Sequence, residues 1–307
     1  MGFDALQNRL DELSRLFDLD QLSEVRCGPV EIERYYRVSR HAYSRYHDRG
    51  NAVHMGLSES GSFHPEDFQG QAKFVSSRLP EAATTILELA TGRGMNSIWL
   101  ARSHPELRIV GVDITPAQLA YAEHDGKDVT NFQARYGDFH DLSAFEDGSQ
   151  DLVFVVEALC HSDSKERIAR EVWRVLRPGG RFIVIDGYRG RPAHECSLAE
   201  NRALALLARG MTVGSFEGYP AVRSAIISAG FDLTEEHDRT DQILPSLERC
   251  DRLARRYLNR PIIARIIKAL LPRPLVSTAV SGYLFTELSG RGVFAYWISV
   301  FDKPVSA

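Results

Sequence analysis

With 307 residues, 44% of them hydrophobic and 25% charged, the chain has ordinary globular composition and enough length for one large domain with insertions. A formal net charge of −4 argues against a nucleic-acid partner, which would ask for a basic surplus. Cys27, Cys160, Cys196 and Cys250 are widely scattered, with no CxxC and no Cys/His pair, which sets aside structural zinc and points to a reduced, cytoplasmic protein.

The first stretch, MGFDALQNRLDELSRLF, carries charge throughout and lacks the apolar core of a signal peptide. Residues 1–75 read as a polar helical cap with interleaved aromatics, as in ERYYRVSRHAYSRYHDRG. From about Ser76 strands and helices alternate. The expected strands are Ile86–Ala90, Arg108–Asp113, Phe132–Asp138, Asp151–Ala158 and Arg181–Tyr188, with helices at Gly94–Ser103, Pro116–His124 and Ser164–Leu176. The last helix stops at RPGG, where a proline and two glycines break it. DLVFVVEAL and RFIVID are continuous apolar runs, as expected of strands buried on both faces. The pattern therefore predicts an α/β protein with a doubly wound, mostly parallel sheet over 76–307. Helical insertions fall near 190–216, with a helix at Ala193–Arg209, and at 240–290. A sixth strand is expected near Phe231–His237 and a terminal one in GVFAYWISVFDKP. The densest apolar stretch, PIIARIIKALLPRPLVSTAV, is broken by Arg265, Lys268, Pro272, Arg273 and Pro274, so it is no membrane span.

The stretch ILELATGRGMNSIWLA runs from the first strand through a glycine pair into a helix. In an open parallel sheet, ligands bind beyond the carboxyl ends of the strands. Gly92 and Gly94 permit close approach there, and the helix offers free N–H groups. A dinucleotide site would read GxGxxG, and this turn lacks the later glycine. Glu88, two residues before the turn, would repel a phosphate but pair with a cation, so the turn suits a cofactor carrying an ammonium and a sulfonium. Asp113 ends the second strand, about twenty residues on, where an acid accepts ribose hydroxyls. Asp138 ends the third strand, and Phe139 beside it can cover an adenine face.

Taken in order, ExAxGxG, VDIT, GDFH, an acid closing the fourth strand and RVLRPGG resemble the class I S-adenosylmethionine-dependent methyltransferases. The resemblance covers roughly residues 76–240 and the final strand, with Ala90 standing where the family pattern has glycine. It implies a Rossmann-like core, S-adenosylmethionine as cofactor, S-adenosylhomocysteine as product, and cofactor contacts from Glu88, Ala90, Gly92, Gly94, Asp113, Ile114, Gln118, Asp138 and Phe139.

The acceptor is addressed by VVEALCHSD. EALCHS resembles the sterol side-chain methyltransferases, Glu157 matches the acid of prenyl-diphosphate carbon methyltransferases, and HMGLSESGSFH resembles the stretch before the core in both groups. Methylating an alkene carbon creates a carbocation, which a carboxylate in a dry site stabilises and then deprotonates. Glu157 is expected in that role with His161 assisting, and oxygen or nitrogen methylation with a histidine base is the alternative. Tyr35, Tyr36, Tyr43 and Tyr46 could add cation–π faces, and His54 lies in the resembling stretch. Cys160 reads as a small buried hydrophobe. Arg189, Arg191 and His194, joined by Arg37, Arg40, His41 and Arg45 from the cap, could hold a diphosphate, with Mg²⁺ bridging it to an acid; otherwise they form a solvated loop. No metal-ligating residues are assigned. Leu244–Leu288 reads as a lid over the acceptor pocket, an interface in a homo-oligomer or a membrane-surface helix pair, and the sequence leaves the three open.

Overall fold

The computed structural model describes residues 5–43, 47 and 51–305. The chain begins with helices α1 (Ala5–Ser14), α2 (Leu19–Ser23), α3 (Pro29–Ala42) and α4 (Gly70–Ser76). The alternating core follows with β1 (Thr85–Leu89), α5 (Met95–Ser103), β2 (Arg108–Asp113), α6 (Pro116–Gly126), β3 (Phe132–Tyr136), β4 (Gln150–Val156), α7 (Lys165–Val175) and β5 (Leu176–Arg189). Then come α8 (Leu198–Gly210), α9 (Tyr219–Ser228), β6 (Asp232–Asp238), α10 (Thr240–Leu258), α11 (Pro261–Leu270), α12 (Arg273–Gly290) and β7 (Phe294–Asp302).

Two expected boundaries shift most. RPGG does not separate α7 from its strand. It is taken up at the start of β5, where the register to β4 slips between the Gln150–Leu176 and Leu152–Arg181 pairs and Gly179 turns at φ 76°. The helix expected over Ala193–Arg209 is a short turn at Ala193–Glu195 followed by α8. Ser197 caps α8 by accepting from the Glu200 N–H, while the Glu200 carboxylate accepts from the Ser197 N–H.

The seven strands form one sheet in the order β3-β2-β1-β4-β5-β7-β6, parallel except for β7, which runs antiparallel to both neighbours. β1 pairs β2 on one side and β4 on the other, so the order reverses there and opens a crevice at the strand ends. Side-chain alternation along the central strands supplies two cores. Ile86, Ile109, Leu152, Phe154, Ile183 and Ile185 face the N-terminal and C-terminal helices, with Leu6, Leu100, Leu207, Leu247 and Leu284 packed above them. Leu87, Val110, Val153, Val155, Phe182 and Val184 face α7 and α9 through Val172, Val222 and Ile226. Burial on both faces is why these strands read as unbroken apolar runs.

The cap and the C-terminal helices hold each other. Arg9 of α1 pairs with Asp251 of α10 at 2.7 Å, its guanidinium sits 4.8 Å over the Tyr283 ring of α12, and the Tyr283 hydroxyl donates to Glu12. Both groups of helices lie on one face of the sheet and enclose what is between them.

Candidate active site

The glycine turn after β1 is bound from two sides. Glu88 is buried, and its carboxylate accepts from Thr91 Oγ1 at 2.5 Å, Ser97 Oγ at 2.6 Å and Asn96 Nδ2 at 3.3 Å. Both oxygens thus tie the turn to the first residues of α5. Through these bonds Glu88 shapes the cradle. Burial pushes its pKa up to about 7 despite those donors. Asp113 closes the other side, accepting from the Gly92 N–H at 2.8 Å and the Thr115 N–H at 2.7 Å. Gly92 and Gly94 turn at φ 56° and 76°, and a Cβ on Gly94 would meet Ala122 Cβ at 3.0 Å, so both the backbone turn and the close packing require glycine there. Ala90 adopts φ 52°, a left-handed conformation that costs a non-glycine residue on the order of 1 kcal/mol. It follows β1 directly, where strain of this kind is found at ligand clamps.

Gln118 is buried and accepts from Arg93 Nε at 3.0 Å, while Arg93, itself buried, lies 4.3 Å over the Tyr121 ring. Ile114 is half-buried at the end of β2. Asp138 is half-exposed and pairs with His140 Nδ1 at 2.8 Å, and Phe139 packs beside it against the core.

Across the crevice, Glu157 follows β4 at φ 47°, a second strained position beside the same switch point. Oε1 accepts from the Met55 N–H at 2.8 Å and from the Tyr296 hydroxyl at 2.8 Å. Tyr296 in turn lies within 3.3 Å of Gln71 Nε2, which also donates to the Met55 carbonyl at 2.6 Å. Burial raises the Glu157 pKa to about 7, and the nearby Asp186 carboxylate adds repulsion. Asp186, near the end of β5, accepts from the N–H groups of Gly187 and Cys160, and is itself raised to about 6 by burial.

His161 donates from Nδ1 to the Thr212 carbonyl at 3.2 Å, which leaves Nε2 to accept from the Tyr36 hydroxyl at 3.3 Å. Burial lowers its pKa to about 4, so it is neutral at pH 7. Against Glu157 it is the weaker base by roughly 10³. With Nδ1 given to the Thr212 carbonyl and Nε2 to the Tyr36 hydroxyl, His161 orients Tyr36. Tyr35, Tyr36 and Tyr43 form a cluster with edge-on ring pairs at 5.0 and 6.4 Å and a Tyr35–Tyr43 hydroxyl contact of 2.9 Å.

These groups line a cavity of about 600 Å³, within the range of small-molecule sites. Tyr35, Tyr36, Tyr43, Glu157, His161, Asp186 and Tyr296 form its polar and aromatic part. Phe216, Ile243, Leu253, Ile267, Val276 and Phe285 make the rest aliphatic and aromatic. Tyr46 and Arg45 lie outside the described residues.

Other expected acceptor contacts are corrected. His54 is buried against Phe68 and does not line the cavity. Arg189 is bound to Asn201 at 2.9 Å, Arg191 to Glu200 at 2.8 Å, and His194 stands 82% exposed. None of the three lines the cavity, and Arg37 is engaged with Glu33 on the surface. Arg189 and Arg191 are held by the α8 residues Asn201 and Glu200 a few positions on in sequence. Among the described residues no cluster of three or more His, Cys, Asp or Glu side chains is gathered to hold a metal.

Residues 87–184 match a family model described as a methyltransferase domain. A sterol 24-C-methyltransferase of Eremothecium gossypii is 28% identical over 159 residues, covering 51% of this chain and 42% of its own. Residues 87–184 are thus similar to a methyltransferase domain, in a chain similar to S-adenosylmethionine-dependent enzymes. An S-adenosyl-L-methionine-dependent Diels-Alderase of Talaromyces variabilis is 28% identical over 212 residues, 64% of this chain and 71% of the relative. The chain thus spans under half the length of one of these relatives and about seven-tenths of the other. In fold, a geranyl diphosphate C-methyltransferase of Streptomyces coelicolor, solved with Mg²⁺, geranyl diphosphate and S-adenosyl-L-homocysteine, matches with a TM-score of 0.63 at 17% identity. The match covers 90% of this chain and 97% of that one.

The cradle fits S-adenosylmethionine. Asn96 Oδ1 is buried beside Glu88 without a hydrogen-bond partner among the described residues, an acceptor that an ammonium group would satisfy. The same cation would draw the raised Glu88 pKa back down.

Tyr296 and Asp186 are site residues that motif reading does not reach. Tyr296→Phe removes one of the two donors that hold the Glu157 pKa down. The acidic limb of the pH profile of kcat should then move to higher pH, and a limb that stays in place would detach Tyr296 from the working carboxylate.

Proposed function

We propose that this protein methylates a carbon of an isoprenoid alkene through a carbocation, with Glu157 stabilising the cation and then removing the proton. The observation that carries this is the Glu157 carboxylate, fixed by two donors in the wall of a cavity lined mainly by aromatic and aliphatic side chains. Bound S-adenosylmethionine supplies an electrophilic methyl group. Addition of that methyl to one alkene carbon leaves positive charge on the other, and the ionised Glu157 faces it in a medium that strengthens the attraction. The faces of Tyr35, Tyr36 and Tyr43 add to this. At neutral pH about half of Glu157 is ionised, so it can accept the departing proton and pass it on. Loss of that proton restores the alkene, so a methyl enters and a proton leaves.

The names of the sterol and geranyl diphosphate relatives support an isoprenoid acceptor. The apolar interior favours one without a charged end buried deep in the cavity. Arg256 and Arg260 are the arginines among its lining residues. Oxygen or nitrogen methylation with His161 as base is disfavoured by its lowered pKa and by the Tyr36 hydroxyl occupying Nε2.

A second reading is supported by the relative named a Diels-Alderase. In it the same cavity folds a polyene for cycloaddition and no methyl moves. Release of S-adenosylhomocysteine from the purified protein with isoprenoid alkenes, phenols, amines and conjugated polyenes separates the cases. Release with alkenes alone is the expected result. Turnover of phenols or amines alone would overturn it, and a cyclised polyene without any release would establish the second reading.

A further inference from the structure

We infer that α11 is an interfacial helix that docks this protein on an anionic lipid surface, with the acceptor cavity opening at the docked face. Ile262, Ile266 and Leu270 recur every four residues along α11, on one side of the helix. They are 73%, 54% and 77% exposed, and Ile263 and Leu271 beside them are 49% and 42% exposed. Scattered exposed apolar residues are ordinary, but five within ten positions make a contiguous patch of the kind that marks an interaction surface.

Charge names the partner. The chain as a whole is acidic, at −4. Yet from Arg252 to Thr286 it holds Arg252, Arg255, Arg256, Arg260, Arg265, Lys268 and Arg273 and no Asp or Glu. Arg252 and Arg255 pair with Glu248 and Asp251, and Lys268 reaches the Leu16 carbonyl at 2.6 Å, pinning α11 to the cap. Arg256, Arg260, Arg265 and Arg273 are exposed. An apolar helix face flanked by arginines is complementary to anionic headgroups over acyl chains. No helix among the described residues is long and apolar enough to cross a membrane, so the contact is with the surface.

The cavity shares this edge. Ile263, Leu271, Arg256 and Arg260 line it and are also exposed, so it reaches the outside between α11 and the ends of its neighbouring helices. A lipid-soluble acceptor could pass from the bilayer into the cavity without crossing water. This last step rests on the isoprenoid reading. Docking itself does not, and a binding measurement without any acceptor separates the two.

Flotation of the full-length protein with phosphatidylcholine vesicles, with and without about a third phosphatidylserine, tests it. Binding is expected to the anionic vesicles, falling with added salt. It should fall about tenfold or more in the triple variant Ile262→Ser, Ile266→Ser, Leu270→Ser and in the double variant Arg265→Glu, Arg273→Glu, with thermal midpoints near wild type in both. Absence of wild-type binding, or binding undiminished in both variants, overturns the inference. So does a concentration-dependent dimer abolished by the triple variant without vesicle binding, since a second copy would then cover the patch.

Discussion

Glu157→Gln is expected to lower kcat on an alkene acceptor by about 10²–10³, with the Kd for S-adenosylhomocysteine unchanged. The amide is nearly isosteric and its oxygen can still accept from the Met55 N–H and the Tyr296 hydroxyl, so the wall of the cavity keeps its shape. What it lacks is the charge facing the cation and a site for the proton. A control follows from linkage. The Glu157 carboxyl has a folded-state pKa of about 7, above its ordinary value of 4.5. The folded protein therefore holds a proton that the unfolded chain gives up, and stability falls as pH rises from about 4.5 to 7 and levels off above. The glutamine variant is free of that penalty. It should be more stable than wild type at pH 8, by on the order of 3 kcal/mol, and no more stable at pH 4. Full activity in the variant would remove Glu157 from the chemistry. Lost activity together with lower stability at pH 8 would mean that the substitution had disturbed the fold.

Asp113→Ala is expected to weaken S-adenosylhomocysteine binding on the order of 10²-fold by calorimetry. Two effects act together. The variant cannot accept hydroxyls of the ribose, and charge-assisted hydrogen bonds contribute about 1.5–3 kcal/mol each. It also releases the Gly92 and Thr115 N–H groups that fix the turn, so the cradle loses its outline. Asp113→Asn keeps one acceptor and should fall between the two. Unaltered affinity in the alanine variant would mean that the cofactor is held elsewhere on the sheet.

The cofactor half of the site was legible because its parts are local. Glu88, Gly92 and Gly94 lie in one turn, and Asp113 closes the neighbouring strand, so spacing alone brings them together. The acceptor half was legible only in part. Glu157 and His161 stood out at the end of an apolar strand, but the groups that set their properties come from afar. Tyr296 sits on a strand the sequence did indicate, with nothing to say that β7 would enter beside β5 and bring its hydroxyl to Glu157. Asp186 did leave a signal, an acid ending the apolar run RFIVID as Asp113 ends IVGVD. A basic loop such as that of Arg189 looks the same in sequence whether it meets a ligand or its own helix. The S-x-x-E box at Ser197–Glu200, with Glu200 also bound to Arg191, was the clue that α8 would claim that loop.

The anchoring of Glu157 bears on how the molecule matures. Its two donors come from 102 residues earlier and 139 residues later in the chain. During synthesis the nucleoside cradle, built within residues 85–115, can take shape well before the ribosome delivers Tyr296. Contacts of such long range form late and slowly. The nascent protein should therefore gain the ability to hold its cofactor first and the ability to use it only when β7 slots in.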